Sequence, residues 1–285
     1  MSARDWILLD MHGCVWREFY ADKTHDPFMS IVSALSRIHG YVEKFGTRNI
    51  AFCFDFPPYK RSEIFPGYKE KTVRADLESA YNETTLLMRD LHQKEILQRM
   101  GFRNVFSAKG YEADDLFAGI VQNLEGEDRV IIISEDMDLY QLLSWRCAIF
   151  HPRKQQFVTA RSFRQEYGIS PNWWKGAKAI AGDDGDKIPG VKGVGIKMAI
   201  EYMQGTLKST NKRRGDVDEW VDSLDHQRNL RLISLPFPGL CPMLLREDKG
   251  YDARLVSRFF EVLGREAPAE ERRKETRVGI QVEGL

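Results

Sequence analysis

Short, unbroken apolar runs punctuate the first half of the chain at Trp6 to Leu9, Ile50 to Phe54 and Val130 to Ile133, with Asn104 to Ser107 a weaker fourth. Continuity rather than alternation, with polar or turn residues at each border, predicts strands buried on both faces of a parallel sheet. Between the first two runs, Phe28, Ile31, Val32, Leu35, Ile38, Val42 and Phe45 recur at helical spacing. Strand, helix, strand then predicts an α/β core. Residues 72 to 100 contain neither proline nor glycine, and Leu77, Tyr81, Leu87, Met88, Leu91 and Leu97 repeat at three to four, predicting one long helix or two in line. The segment before it, DFPPYKRSEIFPGYKEKT, has no period and is rich in proline, aromatic and basic residues, so it reads as a mobile loop.

From Trp173 onward the helical pieces are short and separated by Gly/Pro loops, with no strand pattern. This places a second, helical subdomain from about residue 166, after a core of 1–165 that includes the 56–100 insertion. KSTNKRRGD, residues 208–216, reads as a disordered loop, Trp173 and Trp174 as core, and EERRKETR near the end as a solvated tail.

Composition narrows this picture. Of 285 residues, 42% are hydrophobic and 11% aromatic, enough to fill a core. Lys+Arg and Asp+Glu both number 42, so any polyanionic partner must be read from the arrangement of charge, not its sum. The four cysteines, Cys14, Cys53, Cys147 and Cys241, form no zinc-type or disulfide spacing. The N-terminal apolar run is too short for a signal peptide and no stretch approaches a membrane span, so a cytoplasmic protein without membrane partners is expected.

Carboxylates follow the strands. Asp10 ends the first, Asp55 the second, and SEDMD puts Asp136 and Asp138 just past the third. In an open parallel sheet the carboxyl ends of the strands share the ligand-binding edge. YEADD adds Glu112, Asp114 and Asp115 at the start of a helix whose N-terminal dipole favours them. Singly, each is more often a turn residue or helix cap. Jointly they would repel one another without divalent cations, and all-oxygen ligation suits Mg²⁺ or Mn²⁺, two of which can clamp a phosphodiester.

The segments LLDMHG, FCFD, YEADDLFAGI, SEDMDLYQLL and IAGDDGDKIPGVKGVGIKMA, in this order, resemble the 5′ nucleases, the flap endonucleases and 5′-3′ exonucleases of phages and bacteria, across about residues 6–200. The resemblance implies a parallel sheet flanked by helices (the PIN-like 5′ nuclease core), a helical arch, and a helix-hairpin-helix at about 177–204. It implies Asp10, Asp55, Glu112 and Asp114 for one Mg²⁺ and Asp114, Asp136, Asp138 and Asp183 for a second, supported by Asp115 and Asp186. GVKGVG resembles the hairpin that grips duplex DNA through Gly190, Gly193 and Gly195, with Lys192 and Lys197 adding charge and K⁺ as a further ion.

In the arch, Lys69 and Arg61 resemble the basic residues that reach the scissile phosphate. Tyr59, Phe65 and Tyr68 could stack on bases, and Lys71 and Arg74 could track the backbone; a solvated basic loop is the plainer alternative. Arg17 is a weaker phosphate contact, and His12 could be mistaken for a base the family does not need. Lys187 departs from the asparagine the family often has there. The implied substrate is DNA with 5′ flaps, ends or nicks, in replication, primer removal or phage DNA metabolism. RNA in RNA–DNA hybrids and a partner DNA polymerase stay open, and a monomer is expected. A PIN-like ribonuclease would lack the 190–197 hairpin, and a non-catalytic DNA-structure-binding module would not need the carboxylates.

Overall fold

The computed structural model describes residues 4–70, 73–93, 95–247 and 249–265. In chain order the first half comprises β1 (Asp5–Asp10), α1 (Met11–Ala21), α2 (Pro27–Phe45), β2 (Asn49–Phe54), α3 (Lys60–Ile64), α4 (Glu78–Gln93), α5 (Ile96–Arg99), β3 (Val105–Ser107) and α6 (Ala113–Gln122). The second comprises β4 (Arg129–Ile133), β5 (Cys147–His151), β6 (Gln156–Val158), α7 (Ala160–Tyr167), α8 (Trp174–Ala181), α9 (Ile196–Met203), α10 (Arg214–Val221), α11 (Leu224–Ile233) and α12 (Leu255–Val262). The strands form a six-stranded sheet in the order β3-β2-β1-β4-β5-β6, flanked by helices. No described helix is long and apolar enough to cross a membrane.

Two compact units share the chain: residues 1–54, 73–106 and 244–285 in one, 55–72 and 107–243 in the other. The chain passes between them more than once, and residues 165 and 166 both lie inside the second.

In the first unit β1 and β2 pair in parallel, Trp6 opposite Asn49 and Asp10 opposite Cys53. Trp6, Ile7, Leu8, Leu9 and Phe52 are fully buried, as a two-faced strand requires. Helix α2 begins where Asp26 accepts the Met29 N–H at 2.7 Å with Pro27 in the first turn, and stops at Gly46 in the left-handed conformation. The long helical pattern after residue 72 is two helices, α4 and α5, with Glu95 at φ 52° between them.

In the second unit β4 and β5 are parallel and β5 and β6 antiparallel. The apolar pattern missed β5, β6 and α1, although CAIF in β5 is a four-residue run of the same kind as Trp6 to Leu9 and Val130 to Ile133. Residues 208–216 are ordered, contrary to expectation: Arg214 donates to Leu207 O at 2.6 Å as α10 begins, and Arg213 pairs with Asp216 at 3.0 Å. Trp174 is buried as expected, whereas Trp173 is 45% exposed. Cys14, Cys53 and Cys147 are buried free thiols, and Cys241 is exposed.

Candidate active site

Residues 55–72 were expected to form a mobile loop, and most of them are instead packed into the second unit. Tyr68 joins Ala179, Ile188, Leu232 and Ile233 in one apolar cluster, with Tyr59, Ile64 and Phe65 against it. Arg61, on α3, is 2% exposed. Its guanidinium forks onto Asp115, NH1 to Oδ2 at 2.6 Å and NH2 to Oδ1 at 2.8 Å, while Nε donates to Leu232 O at 2.7 Å. NH1 also lies 3.0 Å from Glu112 Oε2. The expectation that Arg61 reaches a phosphate is therefore corrected: its donors are spent on a buried carboxylate and a carbonyl, which a solvent-facing arginine could not do. Tyr59, Phe65 and Tyr68 are likewise packed side chains rather than open stacking platforms. Arg74 pairs with Asp76 at 2.6 Å on the surface of the first unit, and Lys71 lies outside the described residues, as does EERRKETR.

Asp115 is placed by local and distant chemistry together. As the third residue of α6 it accepts the Glu112 N–H at 3.1 Å, completing a capping box with Glu112 at the N-cap. It also accepts the Phe237 N–H at 2.7 Å. This locks the first turn of α6 and so sets Glu112 and the half-buried Asp114. Asp55 accepts the Ala113 N–H at 2.8 Å and the Tyr59 hydroxyl at 3.1 Å, which brings it to the same helix start. Asp10, in the first unit, lies opposite Cys53 in the β1–β2 register, two residues before Asp55. Three residues on, Gly13 leaves room for that carboxylate: a Cβ there would meet Asp10 Oδ2 at 2.5 Å.

Two carboxylate groups in the second unit are each gathered around a lysine. Lys69 contacts Glu112 directly and lies 3.9 Å from Asp186. The Tyr68 hydroxyl donates to Glu112 Oε2 at 2.7 Å and lies 3.2 Å from Asp186 Oδ2. Burial alone would lower the Lys69 ammonium, yet Glu112, Asp186 and Asp114 hold it well above the usual lysine value. Asp186 is raised by burial, with Lys69 opposing and Glu112 adding.

The second group holds Asp136, Asp138 and Asp183. Asp136 accepts the Asp138 N–H at 2.7 Å. Lys178, on α8, lies 2.8 Å from Asp138 and contacts Asp183 directly. Burial and then Asp136 push the Asp138 carboxyl up to about 7, against Lys178. Burial would raise Asp183 too, but the Lys178 hydrogen bond and charge hold it below the usual range. The sequence reading did not single out Lys178; its place one turn and a half before Asp183 was the available signal.

Asp183 belongs to a tight turn, in which Asp183 and Ile188 exchange both backbone hydrogen bonds at 2.8 Å. Lys187 sits there at φ 62°, a conformation that asparagine adopts more readily than lysine, so the backbone suits the asparagine the resemblance leads one to expect and does not explain the lysine. The hairpin that follows joins α8 to α9. A Cβ on Gly190 would lie 2.2 Å from Ala181 C and O, and one on Gly182 would lie 2.4 Å from Gly190 N, so these two backbones touch only as glycines. Val191 and Val194 are buried beneath the loop while Lys192, Gly193, Gly195 and Lys197 face solvent. Gly195 is the N-cap of α9, whose first N–H groups have no partner within the helix. Arg213 comes alongside: a Cβ on Gly193 would be 3.2 Å from its guanidinium. Arg17, in the first unit, is turned to Glu18 at 3.3 Å.

The donors are all oxygen and several are partly desolvated, a set that fits hard divalent cations. Residues 5–168 match the family described as 5′-3′ exonuclease, N-terminal resolvase-like domain. The 5′-3′ exonuclease of Buchnera aphidicola is 33% identical over 203 residues, 68% of each chain. The thermostable DNA polymerase I of Thermus thermophilus is 30% identical over 215 residues, covering 72% of this chain and 25% of that protein, so the chain spans about a quarter of such a relative. A solved structure of the bacteriophage T5 flap endonuclease, in a complex with DNA and metal ions, has a similar fold at TM-score 0.65 and 21% identity, covering 99% of this chain and 100% of that one.

Proposed function

This chain belongs to the 5′-3′ exonuclease family, and from that premise we propose that it hydrolyses phosphodiester bonds of DNA at 5′ flaps, ends or nicks, with Mg²⁺ as its metal. The observation that carries the reading is the second unit's combination of two lysine-bridged carboxylate groups with a solvent-facing glycine hairpin. One chemistry attracts divalent cations and the other attracts phosphate, and Asp183 and Asp186, one from each carboxylate group, lie in the same 20-residue stretch as the hairpin, 180–199.

Asp55, Glu112 and Asp114 would hold one ion and Asp136, Asp138 and Asp183 another, with Asp186 beside them; Asp10 keeps the role the resemblance implies. Bound divalent ions supply charge stabilisation for in-line displacement at phosphorus and lower the pKa of water. The chain's own residues do the rest. Lys69 and Lys178 are held as ammonium by their carboxylate partners, and they would balance the negative charge that a phosphodiester adds among those carboxylates. Arg61 acts indirectly: by holding Asp115 and Glu112 it keeps the first turn of α6, and therefore Asp114, in place. The exposed N–H groups of the hairpin and of the start of α9, with Lys192 and Lys197, would hold the duplex backbone, and Arg213 extends that surface.

The test is cleavage of an end-labelled 5′-flap DNA with Mg²⁺ beside the Asp183→Asn variant. A metal-dependent product missing from the variant is expected. No metal-dependent product from either protein would remove the catalytic reading and leave a DNA-binding module, whereas equal cutting by both would remove Asp183 from the metal site.

A further inference from the structure

The first unit carries a basic concavity for which the carboxylate chemistry has no use. Arg99 and Arg103, which flank the end of α5, Arg246 and Lys249 from the segment before α12, and Arg258 from α12 line a cavity of about 920 Å³, with Glu247 as the acidic residue among them. Glu247 is partly neutralised by Arg4 at 3.2 Å, and Arg258 by Asp252 at 3.3 Å. Three separate stretches of a chain with zero formal net charge thus bring five cations to one hollow. Like charges so close repel unless an anion lies between them.

The hollow is built rather than incidental. Asn104, fully buried, donates to Arg246 O at 2.7 Å and accepts the Arg246 N–H at 2.8 Å, pinning that segment beside the residues entering β3. Phe102 forms the floor, 4% exposed and edge-on to Phe52 at a centroid distance of 4.9 Å. Arg99 reaches Val262 O at 3.3 Å, and Arg103 reaches Glu247 O at 3.5 Å. Four of the five cations are arginines, whose planar forks match phosphate oxygens in pairs.

We propose that this concavity is a second nucleic-acid site, taking the phosphodiester backbone of a single strand without reading its bases. The volume suits a stretch of strand rather than the convex face of a duplex, and among the described lining residues no aromatic ring is exposed for stacking. The choice of nucleic acid over an acidic peptide rests on the nuclease reading above.

The experiment measures binding of a fluorescein-labelled single-stranded DNA to the full chain in EDTA, as a function of KCl, for the parent and for Arg246→Ala/Lys249→Ala. Both side chains are exposed, and the Arg246 backbone bonds to Asn104 survive the change; an unaltered thermal melt verifies the fold. With ~0.7 of salt slope per phosphate contact, loss of two contacts should lower the slope by about 1.4 and weaken binding about 25-fold at 0.1 M salt. Equal affinity and slope for the two proteins would overturn the proposal. So would loss, in the variant, of binding to inorganic triphosphate or to a hexaglutamate peptide while DNA binding stays unchanged. If the double variant fails to fold, Arg103→Gln read in the same titration decides, with a slope loss of about 0.7 expected. Because no metal is present, the outcome is independent of whether the chain cuts DNA.

Discussion

Arg61→Met separates the two roles open to a basic residue beside this site. The guanidinium makes two bonds to Asp115 and one to Leu232 O, and it lies 3.0 Å from Glu112 Oε2. Methionine fills a similar volume but leaves the Asp115 carboxylate, fully buried, without its counter-charge. Hydrogen bonds to charged groups contribute ~1.5–3 kcal/mol each, so the gross loss is about 5–9 kcal/mol. Asp115 keeps its bonds from the Glu112 and Phe237 N–H groups, which offset part of this. The net cost should fall at the ~3–5 kcal/mol typical of removing one partner of a buried ion pair. Urea unfolding followed by tryptophan fluorescence measures it, and steady-state cleavage of a 5′-flap DNA is measured on the same samples at low temperature, where the variant is still folded. A buried strut predicts the stability loss with a modest fall in turnover, tracking the loosening of α6. If Arg61→Met unfolded within ~1 kcal/mol of the parent while turnover fell more than about 100-fold, the strut argument would be refuted and Arg61 would have to act on the substrate.

Other substitutions probe the rest of the site. Asp114→Asn and Asp183→Asn should each abolish Mg²⁺-dependent turnover while leaving duplex binding equal or tighter, because a repulsive charge is removed; anisotropy and cleavage assays together test this, and weakened binding would contradict it. Gly190→Ala forces a Cβ to within 2.2 Å of Ala181 backbone atoms, so the hairpin must shift; duplex binding should drop at least tenfold with a lowered thermal midpoint, and unchanged binding would count against the hairpin as the grip. The Asp138 carboxyl is raised from 3.8 to about 7, so between these values the folded chain holds the proton more tightly than the unfolded one. Stability in chelator should therefore fall as pH rises from ~4 to ~7 by an amount that Asp138→Asn removes, at most ~4 kcal/mol. Urea midpoints at pH 5 and pH 8 for both proteins check the sign, and a variant no more stable than the parent at pH 8 would reject it.

Legibility in the sequence tracked how local each feature is. The continuous apolar runs announced β1, β2 and β4, and the aspartates at their ends followed from the rule that such strands present one functional edge. YEADD announced the start of α6 through the spacing of its carboxylates, and the structure adds the capping box between Glu112 and Asp115. The glycines of GVKGVG read as letting the backbone approach a phosphate, whereas the structure shows Gly190 packed against the chain's own backbone at Ala181. The three-residue strand β6 escaped because so short a run has no pattern to read, whereas β5 is as long as β4 and its CAIF run was there to be read.

Where the cations go is settled by the packing of distant segments. By composition, KRSEIFPGYK could be a solvated loop; folding carries Arg61 onto a carboxylate 54 residues away and packs Tyr68 under α11. Lys178 meets Asp138 across 40 residues, and the basic hollow of the first unit joins Arg99 and Arg103 to residues more than 140 further along the chain. A strand, a cap or a glycine turn is specified by neighbours along the chain, within reach of local sterics and hydrogen bonding. The partner of a charge is chosen by which distant backbone the packed core brings alongside, and that choice is written in no single segment.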